Sequence, residues 1–554
     1  MRFRKYPVAL VCDIEEMYLR IEIEEKDRPY HSFLWRKCST DRPDVYQFNC
    51  LVFGVNSSPY EAIYVSKFHA EKNVDEIPMA AETVLKSTYM DDSMDSVQNE
   101  DLAVSLYQQL AKLWGGAGMH ARKWLTNSER VMNMIPKEDR AATVDLDKET
   151  LPSVKTLGVL WVAQDDVFQF HVGESDSSDM TKRSFLSKIA RLFDPLGLLT
   201  PFTIRGKIMM QDIWLSGLEW DEMLPNSIQI KAKGWFSEMK DLNRAQVPRC
   251  LQPVVDGQAV NVSLHTFVDA SQNAYGACVY MRNEYQDGSV AVRLVSAKAR
   301  VAPLASMSMP RLELMGAILG LHLTTRVTEA LESNLLHVRF WCDSMNVLFW
   351  IRGRGRKYKT FVANRIGEIQ RQTCPEQWQY VSTNVNPADL LTRGVTASKL
   401  VNDVHWWNGP EFLQGPIDEW RSKEIEKGED VDFETRKTDR TMIVFEINDM
   451  CIEPSKYSDW LFAKRVQAWM LRFIGNSVLG SEHRVKGELS TDEIQVAENI
   501  LIKHCQQTHF TEEYAMLHRN QELQSSSKLK CLNPILDEDG IMRSKSRLEN
   551  AQST

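Results

Sequence analysis

The chain alternates short apolar runs that stop on a single acidic residue with longer stretches in which apolar residues recur at helical spacing. Tyr6-Pro-Val-Ala-Leu-Val-Cys-Asp13 is rich in Val and Leu, as expected of a buried strand that delivers its last residue to a site. The same pattern returns in His265-Thr-Phe-Val-Asp269 and in Val338-Arg-Phe-Trp-Cys-Asp343-Ser344. Between those two, Ala274 to Met281 and Val290 to Ser296 read as strands around the turn signal Gln286-Asp287-Gly288, which predicts three antiparallel strands. Helical spacing runs from Phe185, is punctuated by Pro195 and Pro201, and resumes over Arg205 to Leu215. Pro310 opens a long apolar helix with Glu313 expected in its first turn, and Asn386-Pro387-Ala388-Asp389 opens a final one. Ser458 to Phe473 and Thr491 to Leu501 also read as helices.

Candidate chemistry sits where these runs stop. Thr88 to Ser93 read Thr-Tyr-Met-Asp-Asp-Ser, so Asp91 and Asp92 are adjacent while Asp13 lies on a separate strand. Carboxylates from two strands suit a pair of divalent cations about 3.5–4 Å apart, which need hard oxygen ligands. Acidic pairs are also common in solvated turns, and the pair alone leaves both readings open. Between the two aspartate sites lies Phe53-Gly54-Val55-Asn56-Ser57-Ser58-Pro59, where Gly54 permits close backbone approach and Pro59 starts a helix. Farther on, Asp269, Glu313, Asp343 and Asp389 fall on the first strand, first helix, fourth strand and last helix of a second group of elements. Glu313 equally suits the positive end of a helix dipole, and Asp389 equally suits a helix cap.

The net charge of −9 speaks against a uniformly nucleic-acid-binding surface. Local distribution matters more. Arg352, Arg354, Arg356, Lys357 and Lys359, spaced by Gly353 and Gly355, form a flexible basic loop that reads as solvated surface or as a phosphate contact. Trp350, Tyr358 and Phe361 alternate with these cations and are assigned to the core.

Six ordered segments together carry a resemblance. Asp13-Ile14-Glu15 with Met17-Tyr18, Phe33-Leu34-Trp35-Arg36, Phe53 to Pro59, Tyr89 to Asp92, Arg122-Lys123-Trp124 with Asn127, and Thr156-Leu157-Gly158 with Trp161 resemble the Pol polyprotein of BEL/Pao long-terminal-repeat retrotransposons. The resemblance implies a reverse-transcriptase palm with Asp13, Asp91 and Asp92 as catalytic metal ligands. It makes Tyr18 the aromatic gate beneath the incoming sugar, where an ordinary half-buried strand tyrosine is the alternative. Phe53, Gly54 and Pro59 then support template and nucleotide. The order Asp269, Glu313, Asp343, Asp389, with Leu390-Leu-Thr-Arg-Gly394 beside it, resembles a ribonuclease H domain. Four carboxylates packed together repel one another without cations, so the resemblance implies a two-metal hydrolytic site, with the basic loop gripping its hybrid. The implied cofactor is Mg2+, with Mn2+ as the alternative, two ions per site and no zinc. The implied partners are an RNA template, a DNA primer, an RNA–DNA hybrid, dNTPs and the remaining Pol and Gag segments, with no membrane.

Phe185 to Pro201 resembles a segment catalogued in this family as a Pao retrotransposon peptidase. An aspartic peptidase needs an Asp-Thr-Gly or Asp-Ser-Gly loop, and the chain contains neither tripeptide. A connecting helical subdomain without proteolytic chemistry is expected instead. Beyond it, His405-Trp406-Trp407-Asn-Gly-Pro410 resembles family punctuation, and Trp420 to about Glu434 reads as a charge-rich linker or exposed helix. Leu532 to Arg543 with Arg547-Leu548 resembles the entry to an integrase zinc-binding domain, stopping before its His-His-Cys-Cys ligands. His504, Cys505 and His509 lie upstream in an amphipathic helix without a Cys-x-x-Cys partner and are read as structural.

The expected architecture is a mixed α+β and α/β multidomain chain of 554 residues with 43% hydrophobic content. Its expected parts are a palm over 1–130, a thumb and helical connection over 131–250, a ribonuclease H-like mixed sheet with helices over 255–400, a linker and helical region over 401–520, and a truncated integrase entry over 521–554. The chain starts a few residues before Asp13, so the resemblance implies that the fingers are missing and the polymerase half is incomplete. No run approaches the ~20 apolar residues of a membrane span, and the N-terminus lacks a signal-peptide core. Ten scattered cysteines read as reduced thiols, most of them buried, in an intracellular chain of a cytoplasmic particle or the nucleus. Intact carboxylates favour an enzyme over a catalytically inactive, host-retained nucleic-acid-binding remnant.

Overall fold

The computed structural model describes residues 1–141, 153–156, 159–172, 180–253, 259–332, 337–417, 420, 434–435, 452–478 and 484–544. Leu157, Gly158, Cys451, Arg547, Leu548 and most of the expected linker after Trp420 lie outside the described residues. The chain divides into two compact units, Met1–Lys437 and Thr438–Thr554. No helix among the described residues is long and apolar enough to cross a membrane.

The first unit opens with β1 (Val8–Ile14), buried along most of its length, as its unbroken apolar run predicts. An exposed hairpin of β2 (Ser32–Trp35) and β3 (Asp44–Gln47) precedes helices α1 (Ser58–Lys72) and α2 (Pro78–Ser87), each carrying Pro in its first turn. Then come β4 (Thr88–Tyr89), β5 (Asp92–Val97), α3 (Glu100–Gly116), β6 (Ala121–Thr126) and α4 (Glu129–Met134). The Asn99 side chain caps α3 by accepting from the Leu102 amide, with Glu100 and Asp101 in the first turn. The sheet order β4-β5-β1-β6 makes β1 central and antiparallel to both neighbours. A second sheet, β10-β9-β8-β7, is formed by β7 (Ser153–Thr156), β8 (Val159–Val162), β9 (Val167–Gln169) and β10 (Gln246–Pro248). Between β9 and β10 run α5 (Lys182–Ala190), α6 (Thr200–Leu215) and α7 (Asn226–Glu238), the helical connection expected from the spacing.

The third sheet has the order β13-β12-β11-β14-β15. Its strands β11 (Ala259–Ala270), β12 (Ala274–Tyr285) and β13 (Val290–Val301) are antiparallel, as the turn signals predict. Helix α8 (Met309–Leu331) crosses over to β14 (His337–Cys342), which lies parallel to β11. Then follow α9 (Met345–Arg352), α10 (Thr360–Gln372), the parallel edge strand β15 (Trp378–Tyr380), α11 (Asp389–Arg393), α12 (Ala397–Val401) and α13 (Val404–Asn408). One apolar core runs from β1 through Trp161, Phe185 and Trp235 to Phe267 and Trp406, so the first two sheets, the connecting helices and one face of the third sheet are packed together. The second unit contains α14 (Trp460–Val478), α15 (Thr491–His509), α16 (Thr511–His518) and a hairpin of β16 (Pro534–Leu536) and β17 (Met542–Ser544). A capping box of Ser490 and Glu493 starts α15, which holds His504, Cys505 and His509.

Close approach, not turn geometry, explains two glycines of the third sheet. A Cβ on Gly316 of α8 would stand 2.8 Å from the Asp269 carbonyl oxygen, and one on Gly276 of β12 would stand 2.7 Å from the Leu391 Cβ. Together they let α8 and α11 settle against the strands that carry the candidate carboxylates. We expect Gly316→Ala to destabilise the fold by about 1–2 kcal/mol, because the obstructing backbone outweighs the ~1 kcal/mol helix preference for Ala. Gly367→Ala in α10, where nothing lies within 4 Å, should instead stabilise. Chemical denaturation of both variants checks the opposite signs.

Nine described cysteines are free thiols, but only Cys12, Cys250, Cys278 and Cys342 are buried; Cys38, Cys374 and Cys531 are exposed because they sit in turns outside the strands. Gly54 takes a φ of +91°, a backbone conformation that favours glycine.

Candidate active sites

The first acidic set is assembled by a hairpin against a central strand. Asp13 on β1 is the register partner of Asp92, the first residue of β5, and the Ile14 amide donates to the Asp91 carbonyl at 2.9 Å. Tyr89 pairs with Asp92, leaving Met90 and Asp91 as a two-residue loop. Met90 takes φ +56°, a left-handed conformation that costs a side-chain-bearing residue about 1–2 kcal/mol. Burial pushes the Asp92 carboxyl up to about 6, with Asp91 and Asp13 adding to the effect and Lys123 opposing it. Tyr18 is buried on a short 3-10 turn rather than on a strand, and its ring meets Phe53 edge to face at 4.8 Å. Burial, then Asp91 and Tyr89, raises the Tyr18 hydroxyl. The predicted residues Asp13, Asp91, Asp92, Tyr18 and Phe53 therefore share one neighbourhood, while Pro59 serves in the first turn of α1.

Sequence reasoning missed the chemical role of Lys123 here. The register of β1 against β6 shifts between Val11 and Asp13, and Lys123 at this bulge adopts φ +54°. Its Nζ reaches Asp13 Oδ2 at 2.9 Å. The motif Arg122-Lys123-Trp124 was visible, but not the bulge that aims it.

The second acidic set lies at one end of the third sheet. Val268 pairs with Cys342 across the parallel strands β11 and β14, so Asp269, still within β11 and opposite Gly276 of β12, and Asp343, the first residue beyond β14, both follow one register pair. Each candidate carboxylate but Asp389 is held by a hydroxyl. Thr392 Oγ1 donates to Asp269 Oδ2 at 2.5 Å, Ser344 Oγ to Glu313 Oε2 at 2.5 Å, and Thr383 Oγ1 to Asp343 Oδ2 at 2.9 Å. Asn386 ties the last loop to β11 through the Val268 carbonyl at 3.1 Å. Burial pushes Asp269 up to about 7; the Thr392 hydroxyl opposes this, and Asp343 and Asp389 reinforce it. Burial also raises Asp343, against the pull of Thr383.

The alternatives for Glu313 and Asp389 now separate. Glu313 lies just beyond the first turn of α8, contrary to expectation, where a helix-dipole benefit has faded. Asp389 is the first residue of α11 and makes no cap; its carboxylate pairs with Arg393 at 2.7 Å. Beside Asp389 opens a cavity of about 1230 Å³ whose walls include Thr383, Asn386, Trp341 and Phe412. Among the described residues no three His, Cys, Asp or Glu side chains already gather as a metal cage. The donors are nonetheless all carboxylate oxygens, which suit a hard divalent cation. The hydroxyls of Thr392 and Ser344 engage one oxygen each of Asp269 and Glu313, Oδ2 and Oε2.

Arg352 ends α9, and Arg354, Arg356, Lys357 and Lys359 follow in and around a 3-10 turn, all with exposed side chains. Trp350 and Tyr358 are buried, as expected, and Phe361 packs partly buried beside them. Asp287, the nearest approach to a peptidase-like motif, is exposed at the tip of the β12–β13 hairpin.

The strand order β13-β12-β11-β14-β15, with α8 crossing over to β14, is the one expected of a ribonuclease H-like sheet. Residues 181–344 match the family described as Pao retrotransposon-like RNaseH-like domain, in keeping with the Pao/BEL Pol resemblance of the sequence. The matched stretch takes in α5 to α7 as well as β11 to β14, and contains Asp269, Glu313 and Asp343. Among solved structures, a foamy viral protease-reverse transcriptase described in complex with double-stranded DNA is 12% identical with a TM-score of 0.41. That likeness covers 68% of this chain and 57% of the other, so the chain spans little more than half the length of that relative. No curated protein matches the chain.

Proposed function

We propose that the chain is a retroelement nucleic-acid enzyme whose third sheet hydrolyses the RNA strand of an RNA–DNA hybrid, and whose first sheet is a reverse-transcriptase palm. One observation carries the hydrolytic reading: Asp269 and Asp343 each follow the register pair Val268–Cys342 of adjacent parallel strands, with Glu313 on the helix that crosses over between those strands. Two bound Mg2+ or Mn2+ ions would supply an activated water and neutralise charge on the phosphoryl oxygens. Asp269, Glu313, Asp343 and Asp389 would hold them. Thr392, Ser344 and Thr383 fix the carboxylates between turnovers, and the exposed cations from Arg352 to Lys359 hold the hybrid backbone. In the palm, Asp13, Asp91 and Asp92 are the corresponding ligands, Tyr18 lies under the nucleotide sugar, and Phe53 with the turn at Gly54 supports the template.

Purified chain incubated with end-labelled hybrid and Mg2+ should cut the RNA strand. Asp343→Asn should lower the rate by about 10²–10³-fold, the scale for removing one group that stabilises a transition state. Absence of cleavage by the parent chain, or equal cleavage by the variant, rejects the hydrolytic reading.

A further inference from the structure

Glu434 was expected at the end of an exposed, charge-rich stretch, yet it is 7% exposed and forms a two-pronged ion pair. Its Oε1 accepts from Arg311 Nε at 2.8 Å and its Oε2 from Arg311 Nη2 at 3.0 Å. The backbone is engaged too: the Lys359 amide donates to the Glu434 carbonyl at 2.8 Å, and Tyr358 pairs with Thr435. Arg311 stands two residues before Glu313 on α8, and Lys359 closes the basic turn. This chain's own carboxylate segment therefore bridges Arg311 of α8 and the end of the basic turn.

We propose that Arg311 and the adjoining basic turn form a subsite for a backbone phosphate of a nucleic-acid duplex, and that Glu434 occupies this subsite until the duplex displaces it. The inference rests on the hydrolytic reading of the neighbouring carboxylates. A guanidinium presents a planar fork that carboxylate and phosphate oxygens fit equally well, so an anion bound in this manner marks a place where another binds. The fork has a second support besides Glu434. Arg311 lies 5.0 Å from the Phe361 ring centroid and Arg365 3.6 Å from it, so Arg311 is already stacked on an anchored aromatic ring. The exposed side chains of Arg352, Arg354, Arg356 and Lys357 make the surroundings positive, and a polyanion touching several of them at once gains more than one carboxylate does.

Fluorescence anisotropy of a labelled RNA–DNA hybrid on the full chain, in metal-free buffer that prevents cleavage, tests this. Glu434→Gln should tighten binding by about 5–20-fold and steepen the log–log salt dependence by about one contact. Adding Arg311→Gln should erase that gain. Inorganic phosphate at matched ionic strength should compete poorly if the polymer is the ligand; equal competition by free phosphate overturns the duplex assignment. Amide hydrogen exchange on the parent chain gives a second measurement that needs no variant: saturating hybrid should deprotect the Lys359 amide. Unchanged or weaker binding by Glu434→Gln, a gain that survives Arg311→Gln, or unchanged Lys359 protection overturns the inference. Hybrid binding without the Glu434 effect leaves the hydrolytic reading standing, whereas the Glu434 effect on a chain that never cleaves removes that reading alone.

Discussion

Asp269→Asn is expected to abolish hybrid cleavage, by about 10²–10³-fold or more, and at the same time to raise the stability of the chain at pH 8. The two effects share one cause. Asp269 is 8% exposed, and burial holds its carboxyl at about 7 against an ordinary value near 3.8. Between those two values the unfolded chain has released a proton that the folded chain still holds. Stability therefore falls as pH rises through this window and stays low above it, where both states are ionised. Near pH 4 the unfolded carboxyl is about half protonated and this cost is small; it vanishes at lower pH. The Asn side chain keeps an acceptor for the Thr392 hydroxyl but removes the buried charge. At pH 8 the variant should gain about 2–4 kcal/mol over the parent chain, and near pH 4 little. Denaturant melts at both pH values measure this. Added Mg2+ should stabilise the parent more than the variant, since a cation at this carboxylate offsets the repulsion from Asp343 and Asp389. A variant that melts like the parent at pH 8, or that still cuts hybrid, contradicts the placement of Asp269 as a buried ligand.

What could be read from sequence follows from the range over which each contact is made. Asp13, Asp269 and Asp343 announced themselves because a strand buries its apolar run locally, and the acidic residue at its end breaks the pattern. The antiparallel strands β11 to β13 followed from a turn signal between alternating segments. Thr392 could not be assigned to Asp269, since 123 residues separate them and only the packed sheet brings them together. Lys123 was concealed by a bulge that reverses the facing of one residue without any sequence mark beyond the motif. Glu434 was misread because charge density along the chain reports solvation only where no partner waits in the fold. Buried arginines were not anticipated at all: Arg4 and Arg249 look like surface residues in sequence, yet both are nearly inaccessible.

Arg249→Met is expected to cost about 3 kcal/mol, the largest single loss of stability in the first unit, because it leaves a half-buried carboxylate without its charge partner and several carbonyls without their donor. Arg249 Nε and Nη2 meet both oxygens of Asp166 at 2.5 and 2.8 Å. Nη1 donates to the Phe3 and Tyr6 carbonyls, and Nη2 also to that of Pro7. Asp166 adopts φ +52° in the turn between β8 and β9, so its side chain and its carbonyl both face Arg249. Arg4 extends the network by donating to the Arg249, Pro248 and Val295 carbonyls, the last on β13. One buried guanidinium pair thus joins the segment leading into β1, the second sheet and the sheet that carries Asp269. Surface ion pairs contribute little by comparison, which is why Lys112→Met, breaking an exposed pair with Glu76, should shift stability by less than about 1 kcal/mol. Replacing Asp166 by Leu together with Arg249→Met removes the stranded charge and should restore part of the loss, while the unpaired carbonyls keep the double variant below the parent. Equal denaturation midpoints for the parent chain and Arg249→Met would show that the three sheets are held by their apolar core alone.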